Sequence, residues 1–566
     1  MKRTPTSFWM VRLGLVVALA IIALAAALPV IPPNPAPASA PESTFSAQRA
    51  MGDLRVVARE PHPIGSAEQE RVRDYIISQA RTLGFSTEVQ RAAVGSGRTA
   101  ENVIVRIPGT ENSPRDVLIT AHYDSAPSSP GAGDAGASVV AMLETMRVVE
   151  ASKPLKNDLV FLFTDGEELG GPGAEVFVNR HPAAEDLGVA FVFDSEPDSG
   201  PTDMRTTSPG DAWLVRQLVE ASPPVFANSA TNTSDRTRLG NDFAAFPPAG
   251  IISAEFLLEG SVVRYHSPKD NVAAIDPRVV QDHGDTMLAL ARYFGNVDLD
   301  AARSSSEDLV FFTAPVLGLV AYPVWLASVL AVMAAILFIA VIVAARQRGR
   351  LSLARLTWGA LAFLTMLLSG AALAWAVWEL LLSMHPESAS TLHFPDFEGS
   401  AMAVAVIFAV AVVAFVAVTH LLSRWIGAVE LAAGALVWLA VLALALTLFE
   451  SLFSAVALWP LLGGVVALSV VAFLGRGWAA GVLLALASVP GLVLVVPLLV
   501  LETLKVEDGA VVGVASLLLL LGSLLPQILL VTGRLVPEAE DLSEQGETYQ
   551  RRITRRSVDA AERRPL

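Results

Sequence analysis

The second half of the chain contains apolar runs that are too long and too free of charge for the interior of a soluble domain. After Pro323, stretches of about 20 residues carry almost no Asp, Glu, Lys or Arg, which is the length an α-helix needs to cross a bilayer. These runs explain why 53% of the 566 residues are hydrophobic. The sequence therefore predicts a chain divided into a globular half and a membrane half.

Seven spans are expected in a membrane domain at 322–533, after a partly buried lead-in at 301–321. Their predicted bounds are 322–345, 357–382, 401–422, 427–449, 451–474, 478–501 and 509–532. The junction at Glu450 is the tightest, because the spans on either side of it nearly touch. Together with an N-terminal span, the sequence predicts about eight crossings.

At the N-terminus, basic residues precede an apolar run at 13–31. A cleaved signal peptide would give this pattern, and the Ala-Ser-Ala triplet at 38–40 resembles a cleavage site. That triplet lies far from the run and is followed by Pro41, whereas the run itself is long enough to span. We therefore predict a cytoplasmic segment 1–12, an uncleaved transmembrane signal anchor 13–31 and an extended Pro/Ala linker 32–45.

Basic residues gather on one side of the predicted spans, which indicates the cytoplasmic side. They are Lys2, Arg3, Arg12, Arg346, Arg348, Arg350, Arg355, Arg424, Arg476 and Arg534. Apart from Lys505, the charged residues of the other side are acidic: Glu387, Asp396, Glu398, Glu502, Glu507 and Asp508. Both termini, including the tail 534–566, are thus predicted to be cytoplasmic. We expect the globular half outside the cytoplasm, at the cell (plasma) membrane.

The globular half, 46–300, alternates strand-like and helix-like patterns, which predicts an α/β domain with a helix-flanked sheet. Short, continuously apolar runs predict buried strands at 102–107, 117–120, 159–164, 189–193 and 251–256. Helical spacing predicts helices at 68–83, 135–150 and 279–293.

Two of these strands each end in a group of side chains that bind metals. His122 and Asp124 follow the first, with Asp134 in a Gly/Pro/Ser loop beyond them, and Glu167 and Glu168 follow the second. Imidazole and carboxylate are the usual zinc ligands where thiolate is absent, and the chain has no cysteine. Ligands bind beyond the carboxyl ends of strands in open α/β sheets. The pattern therefore predicts a metal site at this edge.

Two further ligand candidates lie later in the globular half. Asp194 ends the predicted strand 189–193, and His266 lies in a polar loop before a helix. Each also has an ordinary interpretation, Asp194 as a strand-end cap and His266 as a solvated loop residue. The ligands already found upstream favour the metal-binding interpretation of both.

In combination, these ordered motifs resemble a known family. The motifs are His122-x-Asp124, Gly133-Asp134, Glu167-Glu168, Asp194, Tyr265-His266-Ser267-Pro268, Pro61-His62-Pro63-Ile64-Gly65-Ser66 and Asn241-Asp242-Phe243. The set looks like the co-catalytic di-zinc aminopeptidases, whose fold is shared by glutamate carboxypeptidases and the transferrin receptor. Their membrane-embedded branch, of the endoplasmic reticulum metallopeptidase (Felix-ina) type, is the most similar. The resemblance covers about 45–300 and implies a mixed central sheet with helices on both faces.

The resemblance also implies a role for each position and two Zn²⁺ per chain. Asp134 would bridge the metals, His122 and Asp194 would complete one site, and Glu168 and His266 the other. Glu196 remains an alternative to Asp194, because acids crowd around that position.

The remaining positions are implied to act on water and on the ligands. Glu167 would be the general base, taking a proton from the attacking water. Asp124 would orient His122 by accepting from its far nitrogen. Tyr265 would be either an oxyanion donor or a packing residue.

We therefore predict a membrane-anchored zinc metallo-exopeptidase, most simply an aminopeptidase acting on peptides and surrounded by membrane lipid. A carboxypeptidase or other amide hydrolase, a non-catalytic receptor or scaffold, and a transporter with a peptidase-like domain remain open. Acidic groups for a substrate amine and basic groups for a substrate carboxylate are both present, at Glu196, Asp198, Arg236 and Arg264. The net charge of −15 argues against a nucleic-acid partner. The sequence leaves the oligomeric state undetermined.

Overall fold

A computed structural model describes residues 5–95, 97–111, 113–195, 199–230, 241–260, 263–302, 307–385, 399–474, 477–505 and 509–533. Several sequence predictions lie outside these ranges. They are the roles of Glu196, Asp198 and Arg236, the acidic residues Glu387, Asp396, Glu398, Glu507 and Asp508, the basic residues Lys2, Arg3, Arg476 and Arg534, and the tail 534–566.

Within the described residues, the globular half is built on an eight-stranded sheet ordered β1-β2-β4-β3-β5-β8-β6-β7. The strands are β1 (Ser86–Gly95), β2 (Arg98–Ile107), β3 (Asp116–His122), β4 (Leu159–Thr164), β5 (Leu187–Asp194), β6 (Thr202–Thr207), β7 (Phe226–Ala227) and β8 (Ser253–Leu258). The central strands β4, β3, β5 and β8 run parallel, whereas β2 and β6 join them antiparallel. This mixed sheet confirms the predicted fold class.

Helices cover both faces of this sheet, because residues of each central strand alternate between two cores. Ile119, Phe161 and Phe191 pack into the larger core, while Leu118 and Val160 pack into a smaller one on the opposite face. The helices of this half are α2 (Ala47–Val57), α3 (Ala67–Thr82), α4 (Ser138–Glu150), α5 (Pro172–Arg180), α6 (Ala212–Ala221) and α7 (Pro277–Phe294); α1 (Pro5–Ala27) precedes them. Helices α2, α4 and α7 build the larger core and α5 builds the smaller one.

The segment predicted as an extended linker lies against the globular half. The backbone N–H of Ala36 donates to Gln281 of α7 at 2.8 Å, and Arg49 of α2 donates to the carbonyl oxygens of Ala38 and Ala40 at 3.0 Å. These bonds fix the direction in which the chain leaves α1 and enters the domain.

Residues 301–321, predicted as a lead-in, contain an antiparallel hairpin. Its strands are β9 (Leu309–Ala314) and β10 (Gly318–Pro323), and β9 also forms a bridge from Phe312 to Asn228 just beyond β7. Both faces of the hairpin are apolar. The sequence therefore lacked the polar alternation by which a strand is usually recognised.

The membrane half consists of long apolar helices. They are α8 (Val324–Gln347), α9 (Leu353–Met384), α10 (Ser400–Leu422), α11 (Ala428–Phe449), α12 (Ala455–Phe473), α13 (Trp478–Lys505), α14 (Gly509–Ser523) and α15 (Leu525–Val531). Among the described residues, 7 helices including the N-terminal one could cross a membrane, or 8 if the last, bent pair counts as one span. This protein is therefore a multi-pass membrane protein.

Two predicted spans differ in detail from the structure. The span predicted at 451–474 begins as a short 3₁₀ turn, Ser451–Phe453, and becomes α-helical only at Ala455. The span predicted at 509–532 is broken near Leu524, where its two parts meet at 66°. Pro526 lies in the first turn of α15, where proline is compatible with a helix start but not with a continuous helix.

Candidate metal centre

The carboxyl ends of β3, β4 and β5 place three groups of predicted residues at one edge of the sheet. His122 is the last residue of β3 and Asp194 the last of β5, while Glu167 and Glu168 begin a 3₁₀ turn directly after β4. Gly166 permits this turn because its φ of +85° lies in the left-handed region. Parallel strands bring these ends side by side.

Five side chains could hold metal as two groups that share Asp134. In the first, His122 Nε2 lies 3.2 Å from Asp134 Oδ1 and 3.3 Å from Asp194 Oδ1. In the second, His266 Nε2 lies 3.1 Å from Asp134 Oδ2 and 2.9 Å from Glu168 Oε2. The two carboxylate oxygens of Asp134 thus face different histidines, as a bridging ligand requires.

Unsatisfied polar atoms in this cluster test whether metal ions fit. His122 Nε2, Asp134 Oδ2 and Glu168 Oε1 are buried, and none makes a hydrogen bond of good geometry among the described residues. Burying such atoms without partners is costly, so native proteins rarely do it. Two imidazoles and three carboxylates converging without a thiolate form a donor set suited to zinc. The residues present therefore fit a pair of metal ions.

Asp124 orients both sides of the cluster. The Nδ1 of His122 lies 3.0 Å from the backbone carbonyl oxygen of Asp124 and 3.6 Å from its carboxylate, which leaves Nε2 facing the other ligands. The same carboxylate accepts from the backbone N–H groups of Glu167 at 3.1 Å and Glu168 at 3.4 Å. A single buried aspartate therefore sets the position of three functional side chains.

Glu167 lies beside the cluster but outside both ligand groups. Its Oε2 is 4.0 Å from His122 Nε2. Burial raises the pKa of Glu167 well above its usual range, and the carboxylates of Asp194 and Asp242 add to the effect. Such a carboxylate next to a metal pair is suited to proton transfer rather than to charge neutralisation alone.

The other pKa shifts show how strongly the cluster is charged. Burial alone would lower the pKa of His122, but the carboxylates of Asp124, Asp134 and Asp194 raise it well above its usual value. Burial would raise the pKa of Asp134, yet the adjacent imidazoles of His122 and His266 lower it to about 2. For Glu168, burial and the charge of Asp134 raise the pKa to about 7. The crowded carboxylates repel one another and require positive charge.

The loop that carries His266 also holds the loop that carries Asp134. Asp270 accepts from the backbone N–H of Gly133 at 2.6 Å, from Ser129 Oγ at 3.1 Å and from the Asp134 N–H at 3.4 Å. The sequence analysis did not single out Asp270. Its position four residues after His266 in a polar loop was the only available signal.

A buried chain of hydrogen bonds lies behind Asp134. His283 of α7 contacts Ser138 Oγ at 3.0 Å through Nε2 and Thr202 Oγ1 at 3.2 Å through Nδ1. Ser138 continues to Ser195, whose hydroxyl donates to the carbonyl oxygen of Gly133. This chain of hydrogen bonds supports the backbone on the N-terminal side of Asp134, and no local motif in the sequence indicates it.

Asp242 is a second residue to which the sequence analysis gave no role, although it lies in one of the motifs that carry the family resemblance. It is buried, accepts from the Thr164 hydroxyl through Oδ2, and leaves Oδ1 without a hydrogen bond among the described residues. Burial raises the pKa of Asp242 to about 7, and the charge on His122 partly offsets this. Its carboxyl group adds to the negative potential of the site.

The ring of Tyr265 stacks on that of His266, with ring centroids 3.8 Å apart. The backbone of His266 has a φ of +53°, which is uncommon for a residue other than glycine. Non-glycine residues in this region often lie at functional sites, where surrounding contacts hold them.

Several known proteins are similar in sequence to the part of the chain that carries these residues. Residues 102–291 match the sequence profile of Peptidase family M28. The chain is 30% identical to endoplasmic reticulum metallopeptidase 1 of Rattus norvegicus over 335 residues, which is 53% of this chain and 37% of that protein. It is 25% identical to the vacuolar membrane protease of Candida albicans over 236 residues, or 40% of this chain and 28% of that protein.

Among solved structures, a zinc aminopeptidase from Bacillus subtilis is 19% identical, with a TM-score of 0.40, covering 47% of this chain and 98% of that one. The alignments with the Rattus norvegicus and Candida albicans proteins each span about a third of the relative's own length.

Proposed function

Because residues 102–291 match Peptidase family M28, as the motifs predicted, we propose that this protein is a membrane-anchored, metal-dependent exopeptidase that acts as an aminopeptidase. The observation that carries the proposal is the pair of ligand groups joined through Asp134, with Glu167 beside them but in neither group. A structural zinc site would be closed by its ligands and would not need an additional buried acid next to it.

Two zinc ions would be held by His122 and Asp194 on one side and Glu168 and His266 on the other, with Asp134 between them. Zinc bound there would supply Lewis acidity, lowering the pKa of coordinated water towards about 7 and stabilising negative charge on a carbonyl oxygen.

The protein's own residues would carry the proton. Glu167 accepts it from the attacking water and returns it to the leaving amine, for which its raised pKa is suited. Asp124 keeps the ring of His122 and the backbone of Glu167 in place, so the base and a ligand are positioned together.

The charge of the site supports an aminopeptidase over a carboxypeptidase. Asp124, Asp134, Glu167, Glu168, Asp194 and Asp242 are all carboxylates of one electrostatically coupled cluster. Two divalent ions offset only part of their charge when all are ionised. The remaining negative potential favours the ammonium group of a peptide's N-terminus over a C-terminal carboxylate.

The proposed location is the cell membrane, with the peptidase half outside the cytoplasm. Arg346, Arg348, Arg350 and Arg355 lie where α8 passes into α9, and Arg424 lies after α10. In a chain with eight crossings these residues share one side with the N-terminus, and the globular half lies on the other.

The proposal is tested by assaying the purified full chain with free and amino-blocked peptides, with and without a chelator. We expect release of N-terminal residues from free peptides, loss of that activity with chelator, and its return when zinc is added. Hydrolysis of blocked peptides from the carboxyl end would replace the aminopeptidase assignment with a carboxypeptidase. Activity that survives complete metal removal would contradict the metallopeptidase proposal.

A further inference from the structure

The β9–β10 hairpin lies between the globular half, called the peptidase domain below, and the bundle of membrane helices α8 to α15. Leu309, Phe311 and Leu319 pack into the larger core of the peptidase domain, whereas Val310 and Phe312, from the alternating positions, pack into the core of the bundle. On the bundle side, Phe312 and Tyr322 contact the ring of Trp459, and its Nε1 donates to the Tyr322 hydroxyl at 3.2 Å. The hairpin therefore lies flat across the end of the bundle.

The membrane surface passes close to the hairpin. β10 ends at Pro323, and the membrane helix α8 begins at the next residue. Trp325, in the first turn of α8, is 63% exposed, and tryptophan is enriched where helices cross the membrane–water interface. Trp459, near the start of α12, also lies at this end of the bundle. The hairpin thus lies at the level of the lipid headgroups on the peptidase side.

Its tip extends past the bundle. Ala314 is still buried against bundle residues, but Val316 is 105% exposed and Leu317 is 76% exposed. The tip is about 15 Å from the Val310–Tyr322 pair, at about 3.4 Å per residue. Val219, on the helix that packs against β10, adds a further exposed apolar side chain.

The composition of this segment excludes an ordinary water-facing turn. No charged residue occurs between Leu309 and Ala345, so the tip belongs to an uncharged stretch that continues into α8. Val316 also has a φ of +69°, which is unfavourable for a β-branched residue and would be free of strain for glycine. A fully exposed valine in a strained conformation indicates that its side chain has a partner outside the protein.

We propose that the hairpin tip, Val316 and Leu317, inserts into the boundary between headgroups and acyl chains of the leaflet that faces the peptidase domain. Lipid is the occupant that this position supplies, because the tip continues the lipid-facing surface of the bundle. The tip is a second point of membrane contact besides the spans. It fixes the tilt of the peptidase domain, because the same hairpin forms part of that domain's core.

The natural sequence allows a direct test, since it contains no cysteine. Single cysteines are introduced at the tip as Val316→Cys and Leu317→Cys and labelled with an environment-sensitive fluorophore. The full chain is reconstituted into phosphatidylcholine vesicles with and without nitroxide-bearing lipid. The matched control is Arg98→Cys at the exposed tip of the β1–β2 hairpin, which belongs to the peptidase domain alone.

We expect the labels at 316 and 317 to emit at shorter wavelength than the label at 98, and to lose emission when nitroxide lipid is present. The label at 98 should keep its emission. Val316→Gly relieves the backbone strain while removing the side chain, so in that background a label at 317 should lose less emission to nitroxide lipid. Zinc content and peptide hydrolysis in detergent should match the unmodified protein, because the tip lies outside the metal centre.

Labels at 316 and 317 that resemble the control, water-accessible and unaffected by nitroxide lipid, would overturn the proposal. Labels that are shielded from water but unaffected by nitroxide lipid would also overturn it, and would show that protein covers the tip instead, such as a second copy of this chain.

Discussion

The two halves of this molecule treat ionisable groups in opposite ways. The peptidase half buries them, and His122, Asp124 and Asp134 are each at most 3% exposed. In the membrane half, the described ionisable residues lie near helix ends. Arg424 after α10 and Glu450 after α11 are exposed, while Glu430, in the first turn of α11, is 7% exposed. Desolvated groups with shifted pKa values are where acid–base chemistry is possible. The comparison therefore supports placing the proposed chemistry in the globular half.

One cavity of the membrane half supports the same contrast, whereas another, of about 210 Å³, includes Glu502 in its lining. A cavity of about 400 Å³ lies between α9, α10 and α14 and is lined by apolar side chains together with Ser369. The Ser369 hydroxyl already donates to the Thr365 carbonyl oxygen at 2.6 Å. Such a cavity can accept a hydrocarbon group but offers no acid or base among its lining residues.

The strongest test of the contrast exchanges one carboxylate in each half for its amide. Glu167→Gln should lower turnover by about 10²- to 10⁴-fold, because the proposed base is lost, while the zinc content should stay at the wild-type value. Glu430→Gln, in the first turn of α11, should leave turnover nearly unchanged. Steady-state hydrolysis and elemental analysis measure the two effects. If Glu430→Gln abolished turnover, the division of labour between the halves would be wrong.

A smaller effect, a loss of zinc affinity, is expected when the hydrogen bonds that hold the loop of Asp134 are removed. Asp270→Ala frees the backbone N–H groups of Gly133 and Asp134, and should weaken zinc binding by about 10- to 100-fold, as removal of outer hydrogen bonds to metal ligands does. Asp270→Asn keeps an acceptor and should lie between Ala and wild type. Zinc affinity is measured by competition with a chelator.

The matched control for this loop is Asp276→Asn, which alters the cap of α7 and the ion pair of Asp276 with Arg278, both away from Asp134. Zinc affinity should stay at the wild-type value in that variant. Equal losses of zinc affinity in Asp270→Ala and Asp276→Asn would show that removing any carboxylate from this segment weakens zinc binding, and that Asp270 does not specifically hold the loop of Asp134.

Packing in the membrane half should be separable from zinc binding. A Cβ on Gly434 would lie 2.3 Å from the backbone carbon of Gly359, so α9 and α11 approach closely at this point. Gly434→Ala should destabilise the bundle by about 1–3 kcal/mol through overpacking. Thermal unfolding in detergent reports that loss, whereas zinc content should be unchanged. Loss of zinc in this variant would show that the two halves fold as one unit.

A further effect, expected only below neutral pH, is a pH dependence of stability from His283. Burial lowers the pKa of His283 to about 3, whereas an unfolded histidine has a pKa of about 6.5. Between these values the unfolded chain binds a proton that the folded chain does not. Stability should therefore fall as the pH drops from about 6.5 towards 3, by at most about 1.4 kcal/mol per pH unit.

The contribution of His283 to stability is isolated by comparing the wild type with His283→Gln across that pH range. The difference in unfolding midpoint between the two proteins should shrink as the pH falls, because only the wild type loses stability through this group. A difference independent of pH would mean that His283 is protonated in the folded protein.

The sequence anticipated much of the sheet but not its edges. The predicted strand 159–164 has the same bounds as β4, and the predictions at 117–120 and 189–193 lie inside β3 and β5. These strands are buried on both faces, so their apolar runs are continuous. The edge strands β1 and β7, and β6 next to β7, were not predicted. They are partly polar or short, and their identity depends on pairing with neighbours.

The sequence by itself determined the chemistry available to this protein. It gave imidazole and carboxylate groups at strand ends, no thiolate, and apolar runs long enough for membrane helices. Those properties follow from residue type and local spacing, which do not depend on the rest of the chain.

Only the tertiary structure decided which groups meet. The strand order β4-β3-β5-β8 brings His122 and Asp194 together. The loop that carries both His266 and Asp270 brings His266 to the second carboxylate oxygen of Asp134. It also turned an apolar segment into a hairpin shared by two cores. The physical reason is that these contacts join residues far apart in the chain. They depend on sheet order and packing, which local pattern does not specify.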